Sequence, residues 1–318
     1  MTSEQTTSTS LDRSKYYSYI ANGIPIHSEI EFPELKSGPK HSNVTVCIGK
    51  VPSEIDDPIY EGPSSQAGEN QYLLNIKNVA SYFLQKKGDQ FVITVAPLKG
   101  VAMSEVRIFI LSSMFGALCH MQGFLPLHSS GVVINGKAVL FCGKSGLGKS
   151  TLCASLYQKG HAFVTDNLAA IYMGEDGIPM VHPSYSHFRL WKDSMNALEE
   201  FSGYVVKMRD EIEKYNMILN DQLQVGAVPI HKIYHLNHHF ENEIQIEQLS
   251  GRKKTDIIVT ETFRIKLLKG LGSQESYFKL LNQICAKTAI AKIYRPTNSF
   301  LLEELTQAVL NDSKSTNH

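Results

Sequence analysis

The segment from Gly143 to Ser150 reads GKSGLGKS and has the clearest chemical signature in the chain. It matches the pattern G-x-x-x-x-G-K-[ST] in full. Glycines in such a loop let backbone N–H groups turn inward and approach phosphate oxygens. Lys149 would reach the β- and γ-phosphates, and the Ser150 hydroxyl would bind Mg²⁺. The predicted site for ATP comprises Gly143, Lys144, Ser145, Gly146, Leu147, Gly148, Lys149, Ser150 and Thr151.

The segments around this loop are those that a phosphate loop requires. KAVLFC (137–142) is an apolar run of strand length directly before it. Thr151 to Gln158 predicts a short helix, with Gly160 as its stop signal. AFVTD (162–166) then predicts the next strand. A strand–loop–helix–strand unit around a complete motif indicates a genuine phosphate loop.

A histidine upstream of the loop is predicted to lie at its mouth. Asn135-Gly136 is a strong two-residue hairpin signal between GVVI and KAVLFC. That turn pairs Ile134 with Lys137, Val132 with Val139 and Ser130 with Phe141. The same register, continued, places His128 opposite Gly143, so we expect His128 in the site. The alternative is a histidine that only packs at the end of a strand.

Asp166 ends the strand that follows the loop. Ligands of open α/β sheets bind at that edge. A carboxylate there can hold Mg²⁺ through water or accept the proton of an attacking hydroxyl. The alternative is a turn or helix-capping aspartate, since Asn167 follows it.

Composition limits the classes of partner. The 318 residues contain 31 Lys+Arg and 31 Asp+Glu, so a net charge of zero gives no general reason to bind nucleic acid or an anionic membrane. The five cysteines form no CxxC pair, which argues against a disulfide framework or a zinc site and favours a cytoplasmic location. Val106 to Leu125 contains polar residues, so it predicts a buried amphipathic helix and not a membrane span.

The chain is predicted to form two folded regions of α/β class with short tails. Residues 44–96 alternate apolar and polar side chains and predict an antiparallel sheet, followed by a helix over about 103–120. Further on, helices are predicted over 275–287 and 300–310, and a strand over 290–294. We expect a disordered tail at 1–15, a β-rich N-terminal domain at 16–125, a P-loop domain with a mixed sheet at 126–310 and a tail at 311–318.

Two clusters of polar residues, one of histidines and one of charged residues, are not expected to form functional sites. One consists of His231, His235, His238 and His239. It follows Pro229 in a strand-like segment without an HExxH pattern, so we expect no metal site there. The other, MRDEIEK (208–214), is predicted to be a solvated helix face.

The stretch LHSSGVVINGKAVLFCGKSGLGKSTL, with KGHAFVTDN after it, resembles the HPr kinase/phosphorylase superfamily, whose fold is related to phosphoenolpyruvate carboxykinase. The segments HPSYSHFRLWKDSMNAL and IYRPTNSFLLEEL resemble its HPr-kinase-like members that act on lasso-peptide precursors. The resemblance implies a kinase that uses ATP and Mg²⁺, with His128, Lys149 and Asp166 in catalysis. It also implies that Arg189 contacts the transferred phosphate. The alternative is a surface arginine beside Trp191.

Two departures from the family pattern bear on this expectation. Asn167 stands where the family has a second acidic residue. Its carbonyl oxygen can still bind Mg²⁺ without adding charge, so the expected metal set is Ser150, Asp166 and Asn167. The L-E-[VI]-R-G-x-G signature is absent, so neither HPr as substrate nor the reverse phosphorylase reaction is expected.

The sequence therefore predicts an ATP-dependent kinase for a hydroxyl, with a serine of a lasso-type precursor peptide as the acceptor. Free edges of the N-terminal sheet would hold that peptide by strand addition. Two alternatives stay open: a kinase for free serine or another small hydroxyl compound, and a nucleotide-binding regulatory protein with little catalysis. A homo-oligomer is also left open.

Overall fold

The computed structural model describes residues 16–185, 187–196, 198, 204–209, 212–219, 223–297 and 301–315. Within them the protein is mixed α/β, with two nine-stranded sheets and one three-stranded sheet.

The strands are β1 (Tyr17–Ala21), β2 (Ile24–Ser28), β3 (Lys36–Ser37), β4 (Val44–Ile48), β5 (Tyr60–Gly62), β6 (Ser65–Gly68), β7 (Gln71–Ile76), β8 (Ala80–Lys87), β9 (Gln90–Pro97), β10 (Leu125–Leu127), β11 (Ser129–Ile134), β12 (Lys137–Cys142), β13 (Phe163–Asp166), β14 (Ala169–Met173), β15 (Pro179–Val181), β16 (His187–Trp191), β17 (Tyr204–Arg209), β18 (Ile212–Ile218), β19 (Val228–His239), β20 (Gln245–Gln248) and β21 (Ala289–Pro296). The helices are α1 (Met103–Phe109), α2 (Phe115–Met121), α3 (Lys149–Gln158), α4 (Lys192–Asn196), α5 (Arg252–Glu261), α6 (Gln274–Lys287) and α7 (Leu302–Ser315). A π-helical segment (Ile110–Met114) joins α1 to α2, and a 3₁₀ turn (Ile265–Leu267) precedes α6.

The N-terminal sheet has the strand order β3-β1-β2-β4-β9-β8-β7-β6-β5. It was expected to be antiparallel, but β4 runs parallel to both β2 and β9. The reason is that alternating side chains report which face is buried and carry no information on strand direction. Val44 and Val46 are buried, as their alternation predicts.

The helix predicted over 103–120 is present as α1, the π-helical segment and α2. Val106, Ile110, Met114 and Leu118 are all buried against the N-terminal sheet. Leu168 and Ala170, from the second sheet's region, belong to the same apolar core. No helix in the described ranges is long and apolar enough to cross a membrane.

The second large sheet has the order β10-β14-β15-β19-β12-β11-β13, with β21 beside β19 and β20 beside β21. It is mixed, since β19 is parallel to β12 and to β21 while the other pairs are antiparallel. Ala138 and Leu140 face one apolar core, and Val139 and Phe141 face the other. Burial on both faces explains why β12 is a continuous apolar run.

Two expectations about charged segments are wrong. Residues 311–315 were assigned to a tail, but α7 runs to Ser315 because Asp312 pairs with the buried Lys232 at 2.7 Å. The MRDEIEK segment is not helical: residues up to Arg209 belong to β17 and those from Ile212 belong to β18. These strands form the three-stranded sheet β16-β18-β17, and Asp210 and Glu211 lie outside the described residues. The bounds of the two domains stay a prediction.

Candidate active site

The hairpin before the phosphate loop has the predicted register. Ile134 pairs with Lys137, Val132 with Val139 and Ser130 with Phe141. The pairing ends at Ser129 and Cys142, one step before His128. The His128 N–H instead donates to the carbonyl oxygen of Glu261 at 2.8 Å. His128 nevertheless lines the same pocket as the phosphate loop.

The loop owes its shape to glycines with positive φ. Gly143, Gly146 and Gly148 have φ values of +130°, +87° and +92°. A Cβ atom on Gly143 would lie 2.8 Å from the carbonyl oxygen of Leu236, so that position also requires the absence of a side chain. Helix α3 begins within the motif, at Lys149, two residues before the predicted start.

Lys149 is buried inside the loop and is held by the loop's own carbonyl groups. Its Nζ donates to the oxygen of Gly143 at 2.6 Å and to that of Lys144 at 3.2 Å. Burial lowers the pKa of Lys149, and the nearby carboxylates of Glu261 and Asp166 oppose that shift. A partly desolvated ammonium group in a glycine-rich loop is suited to receive phosphate oxygens.

The Asp166 carboxylate receives three hydrogen bonds. Its Oδ1 accepts from Ser130 Oγ at 2.5 Å and from Ser150 Oγ at 2.7 Å. Its Oδ2 accepts from the backbone N–H of Arg189 at 2.7 Å. Three donors from three elements therefore hold this buried carboxylate in one orientation.

One pocket of about 370 Å³ brings the predicted site residues together. It is lined by His128, Ser130, Ser145, Gly146, Gly148, Lys149, Ser150, Thr151, Asp166, Asn167, Arg189, Leu190, Trp191, Ser194 and Arg295. All four predicted catalytic side chains are among them. Gly143, Lys144 and Leu147 are not, and Leu147 packs into the apolar core beneath the loop.

The oxygen atoms beside Asp166 fit a magnesium site. Ser150 Oγ and Asp166 Oδ1 are 2.7 Å apart, so one ion could contact both. Asn167 lines the same pocket with φ +96°, and its backbone N–H donates to Ser129 O at 3.0 Å. Mg²⁺ is normally bound through one or two carboxylates together with substrate phosphates. Within the described ranges, no three His, Cys, Asp or Glu side chains are grouped to hold a metal ion, so phosphate oxygens would have to complete this one.

Arg189 is not a surface residue, contrary to the alternative reading of the sequence. It lies on β16 with 9% of its surface exposed. Its Nη2 donates to Tyr185 OH at 3.3 Å, and its guanidinium lies 5.5 Å from the centre of the Tyr185 ring. Its Nε is buried and makes no hydrogen bond to a described residue.

Several residues of the site were not predicted from the sequence, and three of them bear on its chemistry. Ser130 binds Asp166, and its position two residues after His128 was a usable signal. Arg295, at the end of β21, lines the pocket, and burial lowers its pKa. Glu261, at the end of α5, has no motif that could have identified it.

Glu261 connects the phosphate loop to the rest of the sheet. Its Oε1 lies 3.1 Å from His235 Nε2. Burial acts to raise the pKa of Glu261. The hydrogen bond and charge of His235, with the Gly143 N–H and His128, outweigh it, so the pKa is lowered overall. A negative charge behind the loop therefore faces Lys149.

Comparison with known proteins gives little further information on the function of this site. No known protein family matches the sequence, and no curated protein matches it. Among solved structures, the Hpr(Ser) kinase/phosphatase from Coxiella burnetii is similar at 13% sequence identity, with a TM-score of 0.34 over 60% of this chain and 91% of that chain. Because that similarity is low, we base the function on the residues of the site.

Proposed function

We propose that the protein is an ATP- and Mg²⁺-dependent kinase that transfers the γ-phosphate to a hydroxyl group. The observation that carries this proposal is the position of Asp166. Its carboxylate lies in the same pocket as Lys149 and 2.7 Å from Ser150, at the mouth of a complete phosphate loop. A protein that only senses a nucleotide would use Asp166 for Mg²⁺ but would not need His128 beside it in the same pocket.

The loop residues would hold the nucleotide. Loop N–H groups and Lys149 would bind the β- and γ-phosphates, with Lys149 leaving its carbonyl partners for phosphate oxygens. Ser150, Asp166 and the Asn167 carbonyl would hold Mg²⁺, which supplies positive charge against the phosphates. Phosphoryl transfer depends mainly on such positioning and charge stabilisation.

The transfer step requires one proton acceptor. The acceptor oxygen forms a bond to the γ-phosphorus while the bond from that phosphorus to the β–γ bridging oxygen breaks. The hydroxyl proton passes to Asp166, and ADP leaves with the electron pair of the broken bond. His128 would orient or assist the hydroxyl, and Arg189 would stabilise the charge on the transferred group.

For the acceptor we propose a serine of a lasso-type precursor peptide, in a cytoplasmic enzyme. Strand addition to the N-terminal sheet does not support this choice. The outer strands β3 and β5 have two and three residues, too few for a stable added strand. The acceptor would instead approach at the pocket, which also leaves free serine as the alternative substrate.

Mass spectrometry tests the reaction class and the acceptor together. The protein is incubated with ATP, Mg²⁺ and either a peptide ending in serine or free L-serine. We expect the peptide to gain about 80 Da, the mass of one phosphate, and to lose this gain when its serine is replaced by alanine. Phosphorylation of free serine with none on any peptide would contradict the peptide assignment.

Lys149→Ala tests the nucleotide site in the same assay. We expect it to abolish transfer and weaken nucleotide binding, because the γ-phosphate loses its cationic partner. Lys137→Ala is the matched control, since Lys137 is an exposed lysine at the start of β12. Near wild-type transfer by Lys149→Ala would show that the loop does not bind the transferred phosphate.

A further inference from the structure

A second cavity, of about 160 Å³, shares Arg189 with the phosphate pocket. It lies where the three-stranded sheet meets α1, the π-helical segment and the loop at residues 33–34. The polar side chains in its lining are Glu34, Ser104, Arg107, His187, Arg189 and Asn216. We call it the Arg189 cavity.

The polar lining follows from the alternation of β16 and β18. Phe188 and Leu190 face the apolar core under the phosphate loop. His187 and Arg189 therefore face the opposite side of the strand. Asn216 pairs directly with Arg189 across the two strands, so it shares that face.

Three buried polar atoms of this lining make no hydrogen bond to any described residue. They are His187 Nε2, Arg189 Nε and Asn216 Oδ1. His187 and Arg189 are only 2% and 9% exposed. Buried polar atoms in folded proteins are nearly always paired, so three around one cavity indicate a polar ligand.

The charges of the cavity indicate what kind of ligand. Arg107 Nε lies 3.0 and 3.1 Å from the two carboxylate oxygens of Glu34, so these two charges compensate each other. Burial and the charge of Arg189 hold the pKa of His187 well below its usual value, so its ring is neutral. Arg189 thus supplies the net positive charge, and Asn216 Oδ1 supplies a hydrogen-bond acceptor.

We propose that the Arg189 cavity is the acceptor subsite, in which Arg189 binds the carboxylate of a serine and Asn216 binds its N–H. The proposal deepens the kinase function and rests on it. In serine the carboxylate, the nitrogen and the hydroxyl-bearing carbon all join one Cα atom. A serine held by Arg189 therefore keeps its hydroxyl close to the phosphate pocket that Arg189 also lines.

Two compounds carry a carboxylate, a nitrogen and a hydroxyl in this arrangement: the C-terminal serine of a peptide and free L-serine. Two acceptor pairs separate what the cavity recognises. A peptide ending in serine is compared with its C-terminal amide, and L-serine is compared with 3-hydroxypropionate, which lacks the nitrogen. We expect the amide to be a poor acceptor, and the better of peptide and L-serine identifies the source.

Asn216→Ala tests the subsite without altering the phosphate pocket. We expect the KM for the acceptor to rise about tenfold, the effect of losing one such hydrogen bond. The nucleotide KM and the ATP hydrolysis measured without acceptor should be unchanged. The KM for 3-hydroxypropionate should change little in Asn216→Ala, since this compound has no N–H for Asn216 to bind.

Two further variants complete the test, one in the cavity and one as a control. His187→Phe keeps the volume of the ring and removes its nitrogen, and we expect it too to raise the acceptor KM. Asn75→Ala makes the same change as Asn216→Ala at an exposed asparagine of β7 that lines neither pocket, and it is the matched control with unchanged kinetics. An acceptor KM unchanged in both Asn216→Ala and His187→Phe would overturn the subsite.

Failure of the kinase proposal gives a different result. In that case the wild-type protein phosphorylates none of the acceptors. Calorimetric titration with L-serine and with the serine-ending peptide then tests whether the cavity binds an acceptor, independently of phosphate transfer. Saturable binding that Asn216→Ala abolishes supports it, and absence of binding to both probes overturns it.

Discussion

Asp166→Asn separates the chemical role of this side chain from its structural role. Asparagine has the same shape, but one carboxylate oxygen becomes an NH₂ group. The backbone N–H of Arg189 can only donate, so it requires the remaining oxygen at the Oδ2 position. The new NH₂ group then faces the hydroxyls of Ser130 and Ser150, which can turn and accept.

All three contacts of Asp166 can therefore persist in the variant as neutral hydrogen bonds. Exchanging charge-assisted bonds for neutral ones costs about 1 kcal/mol each, which sets an upper limit of about 3 kcal/mol on the loss of stability. The variant loses its proton acceptor altogether. That loss should lower the rate of transfer by about 10²–10⁴.

The assay measures single-turnover transfer, nucleotide affinity with Mg²⁺ and the melting temperature of the same preparation. We expect a folded protein with a much lower rate and a smaller change in nucleotide affinity. Ser130→Ala is the control, because it removes one hydrogen bond to Asp166 and keeps the carboxylate. Unchanged transfer in Asp166→Asn would remove this residue from the mechanism, and an equal loss of affinity and rate would assign it to the metal.

Two further predictions concern buried charges. The pKa of Glu261 is lowered from 4.5 in the folded protein, so its charged form stabilises the fold above that pH, and the contribution is lost as pH falls below it. Denaturant unfolding measures the difference in the free energy of unfolding between wild type and Glu261→Gln. This difference should shrink below about pH 4.5. A difference that stays constant with pH would contradict the role of the Glu261 charge. Asp312→Asn leaves the ammonium of Lys232, only 1% exposed, without its anionic partner and should cost about 3–5 kcal/mol. Thermal melting measures this loss, and the Lys232→Met/Asp312→Leu double variant should recover stability. An unchanged melting temperature in Asp312→Asn would refute the stabilising role of the Lys232–Asp312 ion pair.

Features that depend on neighbouring residues were predictable from the sequence. The Asn135-Gly136 turn determines the hairpin register, because a two-residue loop leaves one pairing for the strands on either side. Positive φ at Gly146 and Gly148 and the position of Lys149 follow from the loop motif itself. The burial of the helix over 103–121 follows from its apolar spacing.

Only the tertiary structure decided which distant residues complete the site. Glu261 reaches the phosphate loop because α5 ends beside β10 and the start of β11, and no local pattern encodes that contact. Arg295 and Arg189 enter the pocket through the strands β21 and β16, and the order of strands in a sheet is set by packing of the whole chain. The same reason explains two of the three structural errors. Alternation in β4 could not reveal its parallel neighbours, and the polar end of α7 looked like a solvated tail until Asp312 was found against Lys232.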